Sequence, residues 1–178
     1  MIFFRDLHRI KQLHISRIST IESKFLDLHQ KNAVFGLWNN EYPVQLTFSD
    51  ASEFNVYLDA LKDQRHVLLA EDEITSGWAF SFVRDSERWF AMILHKRMQG
   101  KGHGSRLLSQ LLETESKLCG WVIDHNNYVK KNGEPYRTPL AFYLKNGFNT
   151  VTSPRLEAPE ISAVKIEWQK QKTHPSLI

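Results

Sequence analysis

Cysteine is almost absent from this chain: Cys119 stands alone, so no internal disulfide can form and no thiolate framework can hold zinc or an iron–sulfur cluster. Long apolar runs are also missing. The first residues turn charged at Arg5 and lack the hydrophobic stretch and small-residue cleavage site of a secretory signal. No stretch is long enough to span a bilayer, and a cytoplasmic location is expected. There is no long run of one charge. The formal net charge is +3, with basic residues scattered among acidic ones, which argues against a nucleic-acid partner. The eight histidines form no ligand spacing with Cys, Asp or Glu, so no metal is expected. No internal repeat is visible, and 178 residues fit one domain with a single core.

What is present is a change of hydrophobic period along the chain. His14 to Ser19 alternates like a first strand, and Ser19 with Glu22 reads as a capping box for a helix burying Ile21, Phe25 and Leu28. Residues 35–43 are aromatic and irregular. Asp50 with Glu53 then caps a second helix carrying Phe54, Leu58 and Leu61. From Val67 the pattern becomes strand-like: Val67 to Ala70, Gly77 to Val83 and Trp89 to Leu94, joined by short acidic connectors, predict an antiparallel meander.

The stretch from Gln99 to Ser105 follows the third of these strands. It opens into a helix whose apolar face is read as Leu107, Leu108, Leu111, Leu112 and Leu118. Gly100, Gly102 and Gly104 free the backbone for positive φ and close approach, and a helix N-terminus offers unpaired N–H groups and a positive dipole end. An anion such as a diphosphate suits it. A dinucleotide fold shares this pattern, but Ser105 stands where its third glycine would be and no second βαβ half follows. A phosphate loop of the Gly-Lys-Ser/Thr kind fails because Gly102 follows Lys101. Residues 120–123 predict a strand parallel to the one ending at Leu94, because a helical crossover joins the two. A polar loop follows to Arg137. Thr138 is read as the cap of a helix with Pro139 at its first position and Gly147 as its stop, and strands Phe148 to Thr152 and Ile161 to Trp168 close the chain.

Two motifs in this order, Gln99-Gly100-Lys101-Gly102-His103-Gly104 and Leu140-Ala141-Phe142-Tyr143-Leu144-Lys145-Asn146-Gly147-Phe148, resemble the GNAT superfamily of acyl-CoA-dependent N-acyltransferases. The resemblance covers roughly residues 13–170, leaving 1–12 as an N-terminal extension and 171–178 as a C-terminal tail. It implies an α/β (α+β) fold. Its mixed, mostly antiparallel sheet would have six to seven strands, flanked by about four helices and splayed at a central parallel pair. It implies that Gln99, Gly100, Lys101, Gly102, His103, Gly104 and Ser105 hold the coenzyme pyrophosphate. The backbone at Leu94 would pair with the pantetheine arm as an added strand would. Lys101, Arg97 or Arg106 would meet the extra phosphate.

By the same resemblance the reaction is acetyl transfer from acetyl-CoA to a primary amine by direct attack. Tyr143 would protonate the departing thiolate, and Asp124, by its location, would take the amine proton through water. Many relatives carry a glutamate in the coenzyme strand, whereas Ala91 and Ile93 stand there. Trp38, Tyr42 and Tyr128 are read as the acceptor pocket. The expected partner is a small-molecule or peptide amine, with the protein a monomer or homodimer and no membrane involved. A non-catalytic CoA-binding sensor or interaction module of the same fold is the alternative.

Overall fold

The computed structural model describes residues 16–171. The proposed extension 1–12, the start of the expected first strand at His14, and residues 172–178 of the tail lie outside them. Seven strands form one sheet in the order β1-β2-β3-β4-β5-β7-β6. In chain order these are β1 (Ile18–Ser23), α1 (Leu28–Glu41), α2 (Ala51–Asp59), β2 (Lys62–Glu71), β3 (Ile74–Arg84), β4 (Glu87–Leu94), α3 (His103–Leu112), β5 (Lys117–Val122), α4 (Leu140–Lys145), β6 (Asn149–Ala158) and β7 (Ile161–Gln169). Every neighbouring pair is antiparallel except β4 with β5. The expected fold class is what is found.

Alternation along β3 divides the protein into two layers. Trp78, Phe80 and Phe82 point to one face, where α1 and α2 cover them with Val34, Leu37, Phe54 and Leu58. Each such aromatic, taken out of water, contributes roughly 2–3 kcal/mol. The other face of β3 carries the small Gly77 and Ala79, and α3 settles there through Leu107, Leu108 and Leu111. A Cβ on Gly77 would lie 2.8 Å from Leu94 Cδ1 and 3.4 Å from Leu107 Cδ2. This absence of a side chain brings the end of β4 and the helix after it together.

The N-terminal reading needs correction. Ser19 and Glu22 do not cap a helix. They belong to β1, paired with Ala70 and Val67 of β2, because the β-branched run at 18–21 fits a sheet edge better than a helix. The capping box sits eight residues further on: Asp27 Oδ1 accepts from Gln30 N at 2.7 Å, and Gln30 Oε1 accepts from Asp27 N at 3.0 Å. Ile21, Phe25 and Leu28 are exposed. Residues 35–41 are helical. The helix ends where Tyr42 turns extended ahead of Pro43, the conformation a following proline imposes. Leu118 lies in β5, not on the helix. Thr138 precedes α4 as expected, but Pro139 occupies the cap position.

Candidate active site

β4 and β5 meet at a single ladder pair, Trp89 with Cys119, and then separate. Gly120 permits the contact at the apex, since a Cβ there would lie 2.9 Å from the Phe90 ring and 3.2 Å from Phe90 O. Beyond the apex β4 keeps its bonds to β3. His95 N donates to Ser76 O at 2.8 Å, and Leu94 and Ile93 stand opposite Gly77 and Trp78. Antiparallel bonding alternates, so the backbone groups of Met92 and Leu94 face the opposite way, into the gap. Gln99 Nε2 already donates to Leu94 O at 2.9 Å. The N–H groups of Met92 and Leu94 and the carbonyl of Met92 are the strand edge turned toward the fork.

The loop after β4 completes one wall. A short turn at Lys96–Met98 buries Met98 and brings the chain to Gly100 and Gly102, whose φ values are +72° and +83°. Both lie in the left-handed region where a side chain is strained. Gly102 is the cap residue of α3, and no side chain satisfies the first amides of that helix. These amides remain available to a ligand. Gly104 serves packing as well, since a Cβ there would meet the Phe142 ring at 3.3 Å and Leu94 Cδ2 at 3.6 Å.

A cavity of about 820 Å³ runs along these elements, within the range typical of ligand and cofactor sites. At one end are Gln99, Gly100, Gly102, Gly104 and Ser105, with Lys145 and Asn146 of the α4 end. At the other are Glu41, Tyr42 and the loop from Lys130 to Thr138. Four basic side chains (Lys96, Lys130, Arg137, Lys145) face two acidic ones. Both acids are engaged: Glu41 pairs with Lys130 at 2.5 Å with both side chains largely covered, and Glu134 pairs with Lys96 at 2.6 Å. Glu41 Oε1 also accepts from Lys96 N. These pairs, with the bridges Pro43–Lys130 and Val129–Pro135, fasten the long loop across the cavity. The net charge left on the wall is positive.

Of the residues singled out from sequence, Leu94, Gln99, Gly100, Gly102, Gly104, Ser105, Tyr42 and Tyr143 line this cavity. Lys101, exposed, and His103, the first residue of α3, flank it without lining it; Arg97 and Arg106 are exposed beside it. Tyr143 is buried, edge-on to Phe90 and Phe148. Burial raises its pKa well above the ordinary phenol value, with a further push from Tyr136. The phenol therefore keeps its proton. Tyr42 is shifted the same way, by burial first and then by Tyr143, Tyr136 and Tyr57.

Asp124 is not brought into the cavity. Its carboxylate is gripped by Arg155, Oδ2 from Nη1 at 2.9 Å and Oδ1 from Nη2 at 3.1 Å. Those hydrogen bonds hold its pKa below the usual carboxylate range. A carboxylate so occupied is a poor proton acceptor, and it ties the base of the long loop to β6. Trp38 is likewise not in the cavity: it is buried among Phe54, Tyr57 and Trp78, and Nε1 donates to Leu46 O at 2.7 Å. Tyr128 packs on His125, and its hydroxyl accepts from Ser162 N at 3.0 Å. His95 and His125 accept from backbone N–H groups two residues on. Among the described residues no group of His, Cys, Asp and Glu is arranged to hold a metal, and no helix is long and apolar enough to cross a membrane.

One contributor, Met92, escaped the sequence reading. Met92 is visible in retrospect as two residues from Leu94 on the same strand edge. Tyr136, in the long polar loop before α4, lines the cavity.

Residues 63–150, from β2 to the start of β6, match the family model for the acetyltransferase (GNAT) domain. The chain carries a GNAT acetyltransferase domain, and with the forked sheet this sets its class, that of the acyltransferases. Three solved structures share the fold. An aminoglycoside 6'-N-acetyltransferase complexed with coenzyme A aligns at TM-score 0.63 and 14% identity, over 84% of this chain and 96% of its own. The ribosomal-protein-S18-alanine N-acetyltransferase from Escherichia coli aligns at 0.61 and 16%, over 90% and 99%. The putative acetyltransferase yncA from Salmonella typhimurium, with acetyl-CoA, aligns at 0.60 and 15%, over 92% and 100%. No curated protein sequence matches the chain.

Proposed function

We propose that the protein moves an acetyl group from acetyl-CoA to a primary amine by direct attack, in the cavity between β4 and β5. One observation carries the reading. The outward-facing backbone of Met92 and Leu94, the glycine amides at 100–105 and the Tyr143 phenol all border a single cavity with a positive wall. An amide-bearing arm needs a free strand edge, a diphosphate needs N–H groups and positive charge, and a departing thiolate needs a proton. The residues present fit each part.

In this reading the amine nitrogen bonds to the thioester carbonyl carbon and the carbon–sulfur bond breaks. The products are an N-acetyl amine and the free thiol. The N–H of Met92 polarises the carbonyl oxygen, and a donor fixed before reaction is worth more in a water-poor site than in bulk solvent. Tyr143 gives its proton to sulfur and regains one as the amine loses one. The carboxylates Glu41 and Glu134 on the wall are both ion-paired, so the amine proton leaves through water. A thiol dye tests the reading: release of CoA should depend on added amine, with an N-acetyl product in equal amount. Acetyl-CoA binding without product in any amine series would reduce the protein to a binder.

A further inference from the structure

Next to the main cavity lies a second compartment of only about 60 Å³. Tyr42, Met92, Tyr136, Pro139 and Tyr143 line both. The place where the thioester would react is thus the doorway between them. The far walls of the small compartment come from the other side of the fork: Trp121 of β5 and Ile123 just after it, Leu46 from the α1–α2 connection, and Ile161 from the β6–β7 hairpin. None of its lining residues is charged. The polar side-chain groups among its lining residues are three phenols and the indole of Trp121.

The rim is fixed. Trp38 holds the carbonyl of Leu46, and Tyr128 holds the amide of Ser162 beside Ile161. These two residues are absent from the cavity wall but act on it as positioning residues. Glu41 and Asp124, each next in sequence to a lining residue, are committed to Lys130 and Arg155.

We propose that the acceptor enters through this compartment, and that it is a weakly basic monoamine on a small apolar group: the α-amine of an amino-acid amide or peptide whose first side chain is about the size of alanine. The inference rests on the acetyl-transfer reading above. Three arguments carry it. At about one water per 10–15 Å³, 60 Å³ holds roughly four to six heavy atoms, enough for the amine, α-carbon, small side chain and first carbonyl of such a group. A polycation needs carboxylates to replace its water, and none is free here. An amine must arrive neutral where no base is at hand, and an α-amine, with a pKa near 8, is neutral at pH 7.5 on the order of 10²-fold more often than a lysine-type amine near 10.4.

The test is a comparison of kcat/KM at pH 7.5 for alaninamide, leucinamide, an Nα-blocked lysine amide, spermine and an aminoglycoside. Acetyl-CoA binding is measured by calorimetry on the same samples. The expected order puts alaninamide at least 10-fold above leucinamide and about 10²-fold above the lysine amide. Ile161→Ala and, as a second variant, Leu46→Ala should each raise leucinamide relative to alaninamide by about 10-fold by widening the compartment. Preference for spermine, the aminoglycoside or the lysine amide, or an alanine-to-leucine ratio unmoved by both variants, overturns the inference. Normal acetyl-CoA binding with no α-amine turnover also overturns it while leaving the coenzyme site standing. Failure to bind acetyl-CoA removes both.

Discussion

Gly102 offers a way to separate backbone shape from charge at the phosphate loop. Its φ of +83° is left-handed, and a Cβ built there meets nothing within 4 Å, so a substitution is limited by conformation and by the ligand rather than by protein neighbours. Asn and Asp tolerate this region better than other side chains and differ by little more than one charge. Gly102→Asn should therefore cost roughly 1 kcal/mol or less in stability and weaken acetyl-CoA binding modestly. Gly102→Asp adds a negative charge beside a diphosphate. At about 4–5 Å in water each pair of unit charges repels by roughly 1 kcal/mol, so two phosphate charges give about 1–2 kcal/mol. The Asp variant should bind acetyl-CoA about 5- to 30-fold more weakly than the Asn variant. Calorimetry at low ionic strength measures the ratio, and added salt should shrink it. Equal affinities for the two variants would refute the assignment of phosphate to this loop.

Tyr143→Phe should lower turnover on the order of 10²-fold and leave acetyl-CoA affinity nearly unchanged, which is the loss expected of a general acid; steady-state kinetics paired with binding checks it. Gly104→Val should weaken coenzyme binding because its side chain would collide with Phe142, only 3.3 Å from the first added carbon; a near-native affinity would contradict that packing role. Asp124→Asn should lower the melting temperature without moving the pH–rate profile, since the carboxylate belongs to Arg155; a shifted profile would return Asp124 to the chemistry. His66 is buried, stacked on Trp78 and Phe80, and takes the Trp78 indole N–H on Nδ1. Burial chiefly, then the Lys31 charge, lowers its pKa to about 4. The unfolded chain binds a proton from about pH 6.5 downward that the folded protein refuses, so stability is full above that value and falls by up to about 3 kcal/mol on approach to pH 4. Denaturant titrations across that range, compared with a His66→Gln control lacking the proton site, read the effect.

The glycine loop and the strand and helix on either side of it were legible because their signals are local. Glycines at 100 and 102 announce a left-handed backbone, the leucines at 107, 108 and 111 mark one helix face, and the run from Trp89 to Leu94 ends where the loop begins. The small compartment was legible only in part. It is assembled from Tyr42 and Leu46 of the α1–α2 connection, Tyr136 of the loop before α4 and Ile161 of the β6–β7 hairpin, three separate parts of the chain that meet only after the sheet has formed. Trp38 and Tyr128 read as pocket residues because they are aromatic and lie in connecting segments, yet each spends its polar group on the backbone that shapes the rim. The N-terminal helix was misplaced because Ser19 and Glu22 imitate a capping box inside a β-branched run, and pairing with β2 decided the matter.

Titration of acetyl-CoA into the wild-type protein tests the central claim most directly. The forked strand edge and the glycine amides predict saturable heat at one site per chain, in the micromolar range. A flat titration of folded protein at hundreds of micromolar coenzyme would contradict it.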